Sequence, residues 1–536
     1  MSENTKNEKM EAIVSLAKRR GFIYQGSDIY GGLSGTWDFG PLGVALKRNI
    51  MNLWWKMFVL DREDMYGVDA AILMNQKVWK ASGHVDTFSD PLTVCLECNS
   101  RQRVDNLLDI KAFSQYRDSI IGKLYIERLE DHKALSLSEE TEFEKIKSAA
   151  KEAEKIEQPE LKYKAYKILE NNLLNSVNAG LLNVVYVESL LEVLNNALES
   201  FDYLGKYTKI YLNSNIKCPV CGGGNWSMPN RFNMMFKTNV GPIEDENSVS
   251  YLRPETAQGI FTNYKNIVDC FYPDLPFGIA QQGKAFRNEI SPRDFIFRSR
   301  EFEQMEIEYF VNPNDWEAAF DMWRKLVWGW CAAIGLPTES VHEDEIPADK
   351  LAHYSKRTID FMFDFPIGRE ELLGLAYRTD FDLGNIQREA GKSMDYVIKG
   401  TNEKLVPHVI EPSFGVERAL MAVLSTAYTE DEVNGEKRIY LKLPEHLAPI
   451  KFAVSPLLKN KPELVAKARE VYSMLKKKHG AVMWDDNGNI GKRYRRQDEI
   501  GTPHCVVIDF DTLENDTVTI RDRDTTEQKR VAISEL

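Results

Sequence analysis

The sequence lacks what would place it in a membrane or outside the cell. No stretch approaches 18 consecutive apolar residues, so no segment reads as a membrane-spanning helix. The opening MSENTKNEKM is polar and has no apolar core of the kind a secretory signal needs; the expectation is a soluble, cytoplasmic protein. Cysteine is scarce, with seven in 536 residues: Cys95, Cys98, Cys218, Cys221, Cys270, Cys331 and Cys505. An odd number without a signal peptide makes a poor disulfide framework. Positive charge is in deficit, 68 Lys and Arg against 81 Asp and Glu, for a net charge of −13. Nucleic acid would therefore have to be held by a local basic face and not by overall charge. Internal repeats and low-complexity tracts are missing too.

What is there suffices for packed cores. Hydrophobic residues make up 43% and aromatics 11%, which excludes a mainly disordered chain. The length, at roughly 150 residues per domain, suggests two to four domains. KMEAIVSLAKRRGF puts Ile13, Leu16 and Ala17 on one helical face. GGLSGTWDFGPLG then interrupts before a second helical run, VALKRNIMNLWWKMFV. Residues 106–216 are rich in Leu, Lys, Glu and Asn, hold Pro159 as their only proline, and read as amphipathic helices (Leu190, Leu191, Leu194) inserted between two CxxC pairs. From about 230 to 425 strands alternate with Gly and Pro punctuation, and residues 279–310 read as two strands joined by ISPRD. A linker is expected over 429–449. The tail reads strand, helix, strand, basic helix, strand, strand, which predicts a small mixed-sheet domain. Domains are expected at 1–105, 106–216, 217–446 and 447–536.

Two segments carry chemistry. In AFRNEISPRDFIFRSREFEQMEIEYF (285–310), strand alternation puts Arg287 and Glu289 on one face of the first strand. On the second strand Arg300, Phe302, Gln304, Glu306 and Glu308 share a face, while Met305, Ile307 and Tyr309 point to the core. The planar fork of Arg suits a phosphate, though a solvated face with cross-strand ion pairs would use the same pattern. In EPSFGVERAL (411–420), Pro412 and Gly415 fit a tight strand-to-helix turn, with Arg418 in the first turns of the helix.

Phe-Arg-x-Glu on a hairpin followed by Gly-x-x-Arg at a strand-to-helix junction resembles motifs 2 and 3 of class II aminoacyl-tRNA synthetases. DFGPLGVALKRNI, with Pro41, resembles their motif 1, which in that class builds the dimer interface. GTWDFGPLG, VWKASGHVDTFSD, RPETAQGIF and GKRYRRQDEIGTP together resemble the α2-type glycyl-tRNA synthetases, over nearly the whole chain except 106–216. The resemblance implies a multidomain α/β protein with an α+β core, in which an antiparallel sheet is flanked by helices. A helical insertion with a zinc ribbon and a C-terminal mixed α/β anticodon-binding domain complete it. It implies a homodimer that makes glycyl-adenylate from glycine and ATP with Mg²⁺, then passes glycine to the 3′ end of tRNA(Gly).

Residue by residue, the resemblance implies catalytic roles for Arg287, Glu289 and Arg418. Arg287 would grip the α-phosphate and Glu289 the adenine end, with Asn288 beside them and Phe286 as a stacking surface. Phe297, Arg298, Ser299, Arg300, Glu301 and Phe302 would form the second ATP-binding strand. Glu371 and Leu372 match a further ATP-contacting pair, Glu371 as a Mg²⁺ ligand, and Gly415, Val416, Glu417 and Arg418 would close over the triphosphate. For glycine, Glu255, Glu306 and Glu411 match positions around the ammonium and Ser413 the one that crowds the α-carbon. Arg103 and Arg378 match positions near the carboxylate or adenylate, and Phe302, Glu303, Gln304, Met305, Pro412, Phe414 and Gly415 complete the set.

The pairs Cys95/Cys98 and Cys218/Cys221 have the spacing of a four-thiolate zinc site, with packed reduced thiols as the alternative. Their separation is explained if both ends of the inserted block emerge side by side. Cys270 is expected in an apolar interior. Lys492, Arg493, Tyr494, Arg495 and Arg496 offer an RNA-contacting surface, against a solvated helix face. Two other functions compete: another synthetase of the same subgroup, such as prolyl, threonyl or histidyl, disfavoured by the RPETAQG run together with the three glutamates Glu255, Glu306 and Glu411, and an inactive synthetase-like RNA-binding or regulatory protein. The latter should have lost Arg287 or Arg418, and both are present.

Overall fold

The computed structural model describes residues 3–107, 148, 212–213, 215–243, 245, 248–348, 350–401, 403–433 and 435–536. The helical reading of 106–216 falls almost wholly outside them. The chain divides into two compact units, Met1–Asp86 with Met235–Leu536, and Thr87–Met234. Among the described residues no helix is long and apolar enough to cross a membrane.

In the larger unit, α1 (Glu3–Arg19) buries Ile13, Leu16 and Ala17, as the periodicity requires. Helix α2 (Pro41–Trp55) starts with Pro at its first position, where the missing N–H costs nothing, and buries Leu42, Leu46, Ile50 and Trp54 at four-residue spacing. Gly43 lies where α2 crosses the backbone of Phe22, and a Cβ there would overlap the Phe22 carbonyl oxygen.

A seven-stranded sheet forms the centre. Its strands are β1 (Met65–Gly67), β2 (Phe277–Phe286), β3 (Glu301–Val311), β4 (Val341–Glu345), β5 (Arg357–Phe365), β6 (Gly368–Thr379) and β7 (His408–Gly415). They are ordered β4-β5-β6-β7-β3-β2-β1, and every pair is antiparallel except β1 with β2. Side-chain alternation gives the sheet two unlike faces. One carries Met305, Ile307, Leu373, Leu375 and Phe414, packed under α2, α4 (Trp316–Ala333) and α6 (Val416–Ala427). Phe414 touches Trp54, Phe58 and Trp330 there. The other carries Gln304, Glu306, Glu308, Arg378, Glu411 and Ser413, next to α3 (Ala257–Phe271) and α5 (Phe381–Ala390).

Three local expectations are corrected. The strand expected from Phe297 begins only at Glu301, because Phe297 to Arg300 lie in the turn-rich connection; Arg287 and Glu289 follow the end of β2. Pro412 lies within β7 and not in a turn: it pairs with Leu375, while the register with β3 skips the positions opposite Ile307 and Glu308. That gap suits a residue with no N–H to donate. The supposed linker is a β-hairpin, β8 (Tyr428–Val433) with β9 (Glu436–Leu441), with the sequence Asn-Gly between the paired strands.

The C-terminal part is the expected mixed α/β domain. Strands β10 (Phe452–Pro456), β11 (Val482–Trp484), β12 (His504–Ile508), β13 (Thr517–Asp522) and β14 (Gln528–Ala532) are ordered β11-β10-β12-β13-β14. β10 is parallel to β11 and β12, and the remaining pairs are antiparallel. Helix α7 (Pro462–His479) buries Leu464, Ala468, Val471 and Leu475 against it. Arg438 on β9, almost fully buried, pairs with Asp431 and reaches Asp498 of α8 (Ile490–Ile500) at 3.4 Å, tying the hairpin to this domain. In the second unit, Ser89–Val94 is the central strand, between Arg101–Arg103 and Asn230–Asn233.

Gly43 gives a test whose sign is informative. Helix propensity alone makes Gly→Ala stabilising by up to about 1 kcal/mol. The overlap with Phe22 should instead make Gly43→Ala destabilising, by about 1–3 kcal/mol, read as a lower Tm or denaturation midpoint.

Candidate functional site

The polar face of the sheet is a closed network of carboxylates around one guanidinium. Glu306 on β3 accepts from the Thr256 backbone N–H at 3.0 Å and hydroxyl at 2.5 Å, the Ser413 hydroxyl at 2.7 Å and the Gln304 amide at 3.1 Å. Ser413 is its cross-strand neighbour on β7, so the register of the two strands makes that contact. Arg378 on β6 donates from Nε and Nη2 to Asp382 at 2.8 and 3.0 Å, and from Nη1 to Glu411 at 2.7 Å. The Tyr354 ring covers its guanidinium at 4.0 Å. Glu255, just before α3, pairs with His84 at 3.3 Å, and Gln258 bridges Asp382 and Glu255 at 2.9 and 3.4 Å.

So many carboxyls in one dry space cannot all ionise on equal terms. Burial raises Glu306 above its usual range, and the Glu255 charge adds to this against the Thr256 and Ser413 hydrogen bonds. Glu411 is pushed up to about 8 by burial, with Arg378 opposing and Glu306 and Glu255 reinforcing. Burial also works to raise Glu255, but the opposing charges of His84, Arg378 and Arg287 hold it low. Arg378 is raised well above its usual value despite burial, by Asp382 and Glu411 first. A pocket with this balance suits a small cationic group, such as an ammonium.

Alternation decides which predicted residues meet there. Gln304, Glu306, Glu411 and Ser413 do, and Glu255 and Arg378 join them. The side chains of Met305 and Phe414 are buried in the core on the opposite face, so the unbroken runs 302–306 and 411–415 do not line one surface. Glu303 pairs with Lys47, and its backbone N–H donates to the buried Glu417 at 2.9 Å. Val416 and Leu372 are core residues as well. Arg103 stands in the second unit, paired with Asp90 at 2.5 Å.

Toward the end of the hairpin, Arg287 donates to the Pro254 carbonyl at 3.1 Å and lies over the Phe302 ring at 5.4 Å. Arg418 lies over the Phe297 ring at 4.7 Å and pairs with Glu371 at 3.0 Å. The guanidinium of Arg300, expected on the phosphate side, is held by the Glu289 and Ser34 carbonyls at 2.7–3.2 Å, and the Ser299 hydroxyl by the Ile296 carbonyl. Glu289 is buried and Glu301 pairs with Lys284 at 2.9 Å; Asn288 and Arg298 are half-buried. Sequence reasoning missed His84, Gln258, Tyr354 and Asp382. The only signal for the first two was their place inside the matched segments VWKASGHVDTFSD and RPETAQGIF.

The four cysteines meet. Cys95 Sγ lies 3.7 Å from Cys221 Sγ, Cys98 Sγ is 3.7 Å from Cys218 Sγ, and all four sulfurs fall within 4.8 Å of one another. A tetrahedron with metal–sulfur bonds of about 2.3 Å has edges of about 3.8 Å, so the donor set fits zinc. Pairing of Ser89–Val94 with Asn230–Asn233, continued by a Cys95–Trp226 bridge, brings the distant pairs together. N–H groups of Val220 and Gly223 point at Cys218 and Cys221, both at 3.4 Å. Cys270, expected inside, is exposed.

The basic stretch is corrected in part. Arg493 is buried, and its guanidinium donates to the carbonyls of Pro456, Asp486 and Gly488, so it holds the domain together from within. Arg496 pairs with Asp485 and Arg495 with Glu436, while Tyr494 packs against Arg521. Lys492 alone among the five is fully exposed.

Comparison with known proteins matches this architecture. Residues 191–427 match the family "tRNA synthetase class II core domain (G, H, P, S and T)" and residues 451–536 match "Anticodon binding domain". The chain is 44% identical to the glycine–tRNA ligase of Deinococcus radiodurans over 98% of its own length and 97% of the relative's. It is 44% identical to that of Clostridium acetobutylicum (99% and 98%) and 42% identical to that of Thermus thermophilus (98% and 97%). Among solved structures, the Giardia lamblia prolyl-tRNA synthetase in complex with prolyl-adenylate shares the fold, with a TM-score of 0.58 at 13% identity, covering 100% of this chain and 76% of that one. With a class II core, an anticodon-binding domain and these relatives along nearly its whole length, the chain belongs to the glycine–tRNA ligases.

Proposed function

We propose that this enzyme activates glycine with ATP to glycyl-adenylate and transfers the glycine to the 3′ end of tRNA(Gly), using the polar sheet face as its amino-acid pocket. The observation that carries this reading is the convergence of Glu255, Glu306 and Glu411 with Ser413 beside a buried Arg378. Glycine has no side chain, so only its ammonium, its carboxylate and its lack of bulk identify it. The carboxyls answer the ammonium. Ser413, fixed by its hydrogen bond to Glu306, forms a wall that an added methyl would strike, at a cost of about 1–3 kcal/mol.

Arg287 and Arg418 are the phosphate-facing groups of this reading, each held flat over a phenylalanine ring. The glycine carboxylate attacks the α-phosphorus in line and pyrophosphate leaves; the side chains position and neutralise charge, and none acts as a general base. Glu371, a half-exposed carboxylate beside Arg418, offers the hard oxygen that Mg²⁺ prefers, and the ion would supply charge neutralisation on the phosphates. The four thiolates would hold a structural zinc ion. Reading the C-terminal domain as the tRNA-binding part leaves Lys492 and Tyr494 as the candidates from the basic stretch. Ile29, Tyr30 and Leu33, exposed at 89%, 87% and 56% near the motif 1 segment, support a homodimer; a cytoplasmic location belongs to the same reading. The division at 105, 216 and 446 belongs to the same reading.

Arg287→Ala should fold normally and lose glycine-dependent ATP–pyrophosphate exchange by roughly 10²–10³-fold, the usual effect of removing a donor to developing charge. Near-normal exchange would refute its role. Protein purified without chelator should contain about one zinc per chain, and Cys218→Ser should lose the metal and lower the Tm; no metal, with stability unchanged, would leave four packed thiols.

A further inference from the structure

Two side chains on the polar face have no place in the account so far. Glu308 on β3 is fully buried, and neither carboxyl oxygen has a hydrogen-bond partner among the described residues. Gln281 on β2, directly opposite Glu306, is also fully buried with both amide atoms unpartnered. Buried polar groups in native proteins are nearly always satisfied, so two such groups flanking Glu306 mark a place where a small polar ligand or its water is expected.

The surroundings of Glu308 fix its electrostatics. Tyr309 pairs with Ile410 in the antiparallel register, so Glu308 lies beside Glu411 on the same face. The charged groups facing it are Glu306 on its own strand, Glu411 on β7, Arg378 on β6 and Asp382 on α5. Glu255, at the start of α3, faces Glu306 and Glu411 in turn. Arg378 is the cation that faces Glu308, and its three nitrogens are taken by Asp382 and Glu411; His84 and Arg287 act on Glu255, and Arg253 on Glu306. Glu308 is buried among carboxylates with no hydrogen-bond donor among the described residues and only the already paired Arg378 to oppose them, conditions in which a carboxyl keeps its proton. Burial and Glu411 accordingly raise it well above the carboxylate range.

A small ammonium entering this face changes the balance, because it brings a full positive charge and N–H donors to an excess of carboxyls. We propose that Glu308 is a further specificity-determining residue of the amino-acid pocket, answering the substrate's α-ammonium charge by ionising and releasing its proton to solvent. One O–H bond breaks, the proton leaves as hydronium or on buffer, and an ion pair takes its place. The residue thereby favours a substrate that brings a compact positive charge to the sheet face. The inference rests on the glycine pocket proposed above.

The test is the pH dependence of glycine-dependent ATP–pyrophosphate exchange in wild type and in Glu308→Gln, which keeps the volume and a neutral polar group. The plot of log kcat/KM for glycine against pH should be steeper in wild type by about one unit below the raised titration of Glu308, because a free-enzyme group must lose a proton before productive binding. Glu411, pushed up to about 8, adds to the rise in wild type, so the comparison with the variant and not the wild-type slope alone reads Glu308. The variant should also show a KM for glycine raised by about tenfold or more, with the KM for ATP unchanged within about twofold. Equal slopes and equal glycine KM values would overturn the inference. Should Glu308→Gln fail to fold, Glu308→Asp takes its place: a glycine KM raised by about tenfold with the ATP KM unchanged supports the inference, and an unchanged glycine KM overturns it. A wild type without glycine-dependent exchange would overturn the pocket itself, and the role of Glu308 with it.

Discussion

Arg378 reaches Asp382 with two nitrogens and Glu411 with a third, in a space closed to water, and the polar face of the sheet depends on that pairing. Without it, two carboxyls on neighbouring elements would be buried unpaired, a loss that typically costs about 3–5 kcal/mol. With it, β6, β7 and α5 are held in register around a pocket that still carries an excess of acid. In the proposed reading that excess sets the preference, since raised carboxyls that hold protons can ionise against a small cation.

The opposite face explains how such a pocket keeps its shape. Met305, Leu373, Leu375 and Phe414 alternate with the pocket residues along the same strands and pack under three helices. A strand cannot slip by one residue without driving carboxyls into that core, so the hydrophobic packing fixes the register that places Glu306 against Ser413. Arg287 and Arg418 stand at the hairpin end and at the β7–α6 junction, each steadied by an aromatic ring, which in the proposed reading limits the entropy lost when they hold a phosphate.

Much of this was legible in the sequence, for identifiable reasons. The alternation in REFEQMEIEYF gave both strand and faces, and the CxxC pairs gave the thiolate cluster, because those signals depend only on local spacing. The chemistry of contiguous motif residues was less legible: Met305 and Phe414 sit inside matched motifs, yet alternation turns them into the core. The basic stretch misled at Arg493 because composition does not reveal which way a helix turns its guanidinium; three backbone carbonyls, one at the end of β10 and two in the segment after β11, claim it. The 429–449 segment read as a linker from its charges, although Asn-Gly between paired polar runs was a hairpin signal. His84 and Asp382 were invisible because their partners lie more than a hundred residues away or in another element.

The central claim is that a carboxylate-rich sheet face, crowded at Ser413, selects glycine. The most direct measurement is ATP–pyrophosphate exchange with each of the twenty amino acids under identical conditions. The account predicts robust exchange with glycine, with alanine lower by roughly 10–10²-fold or more from the added methyl alone and larger side chains at background. Comparable exchange with alanine or serine, or a preference for proline, threonine or histidine, would contradict it.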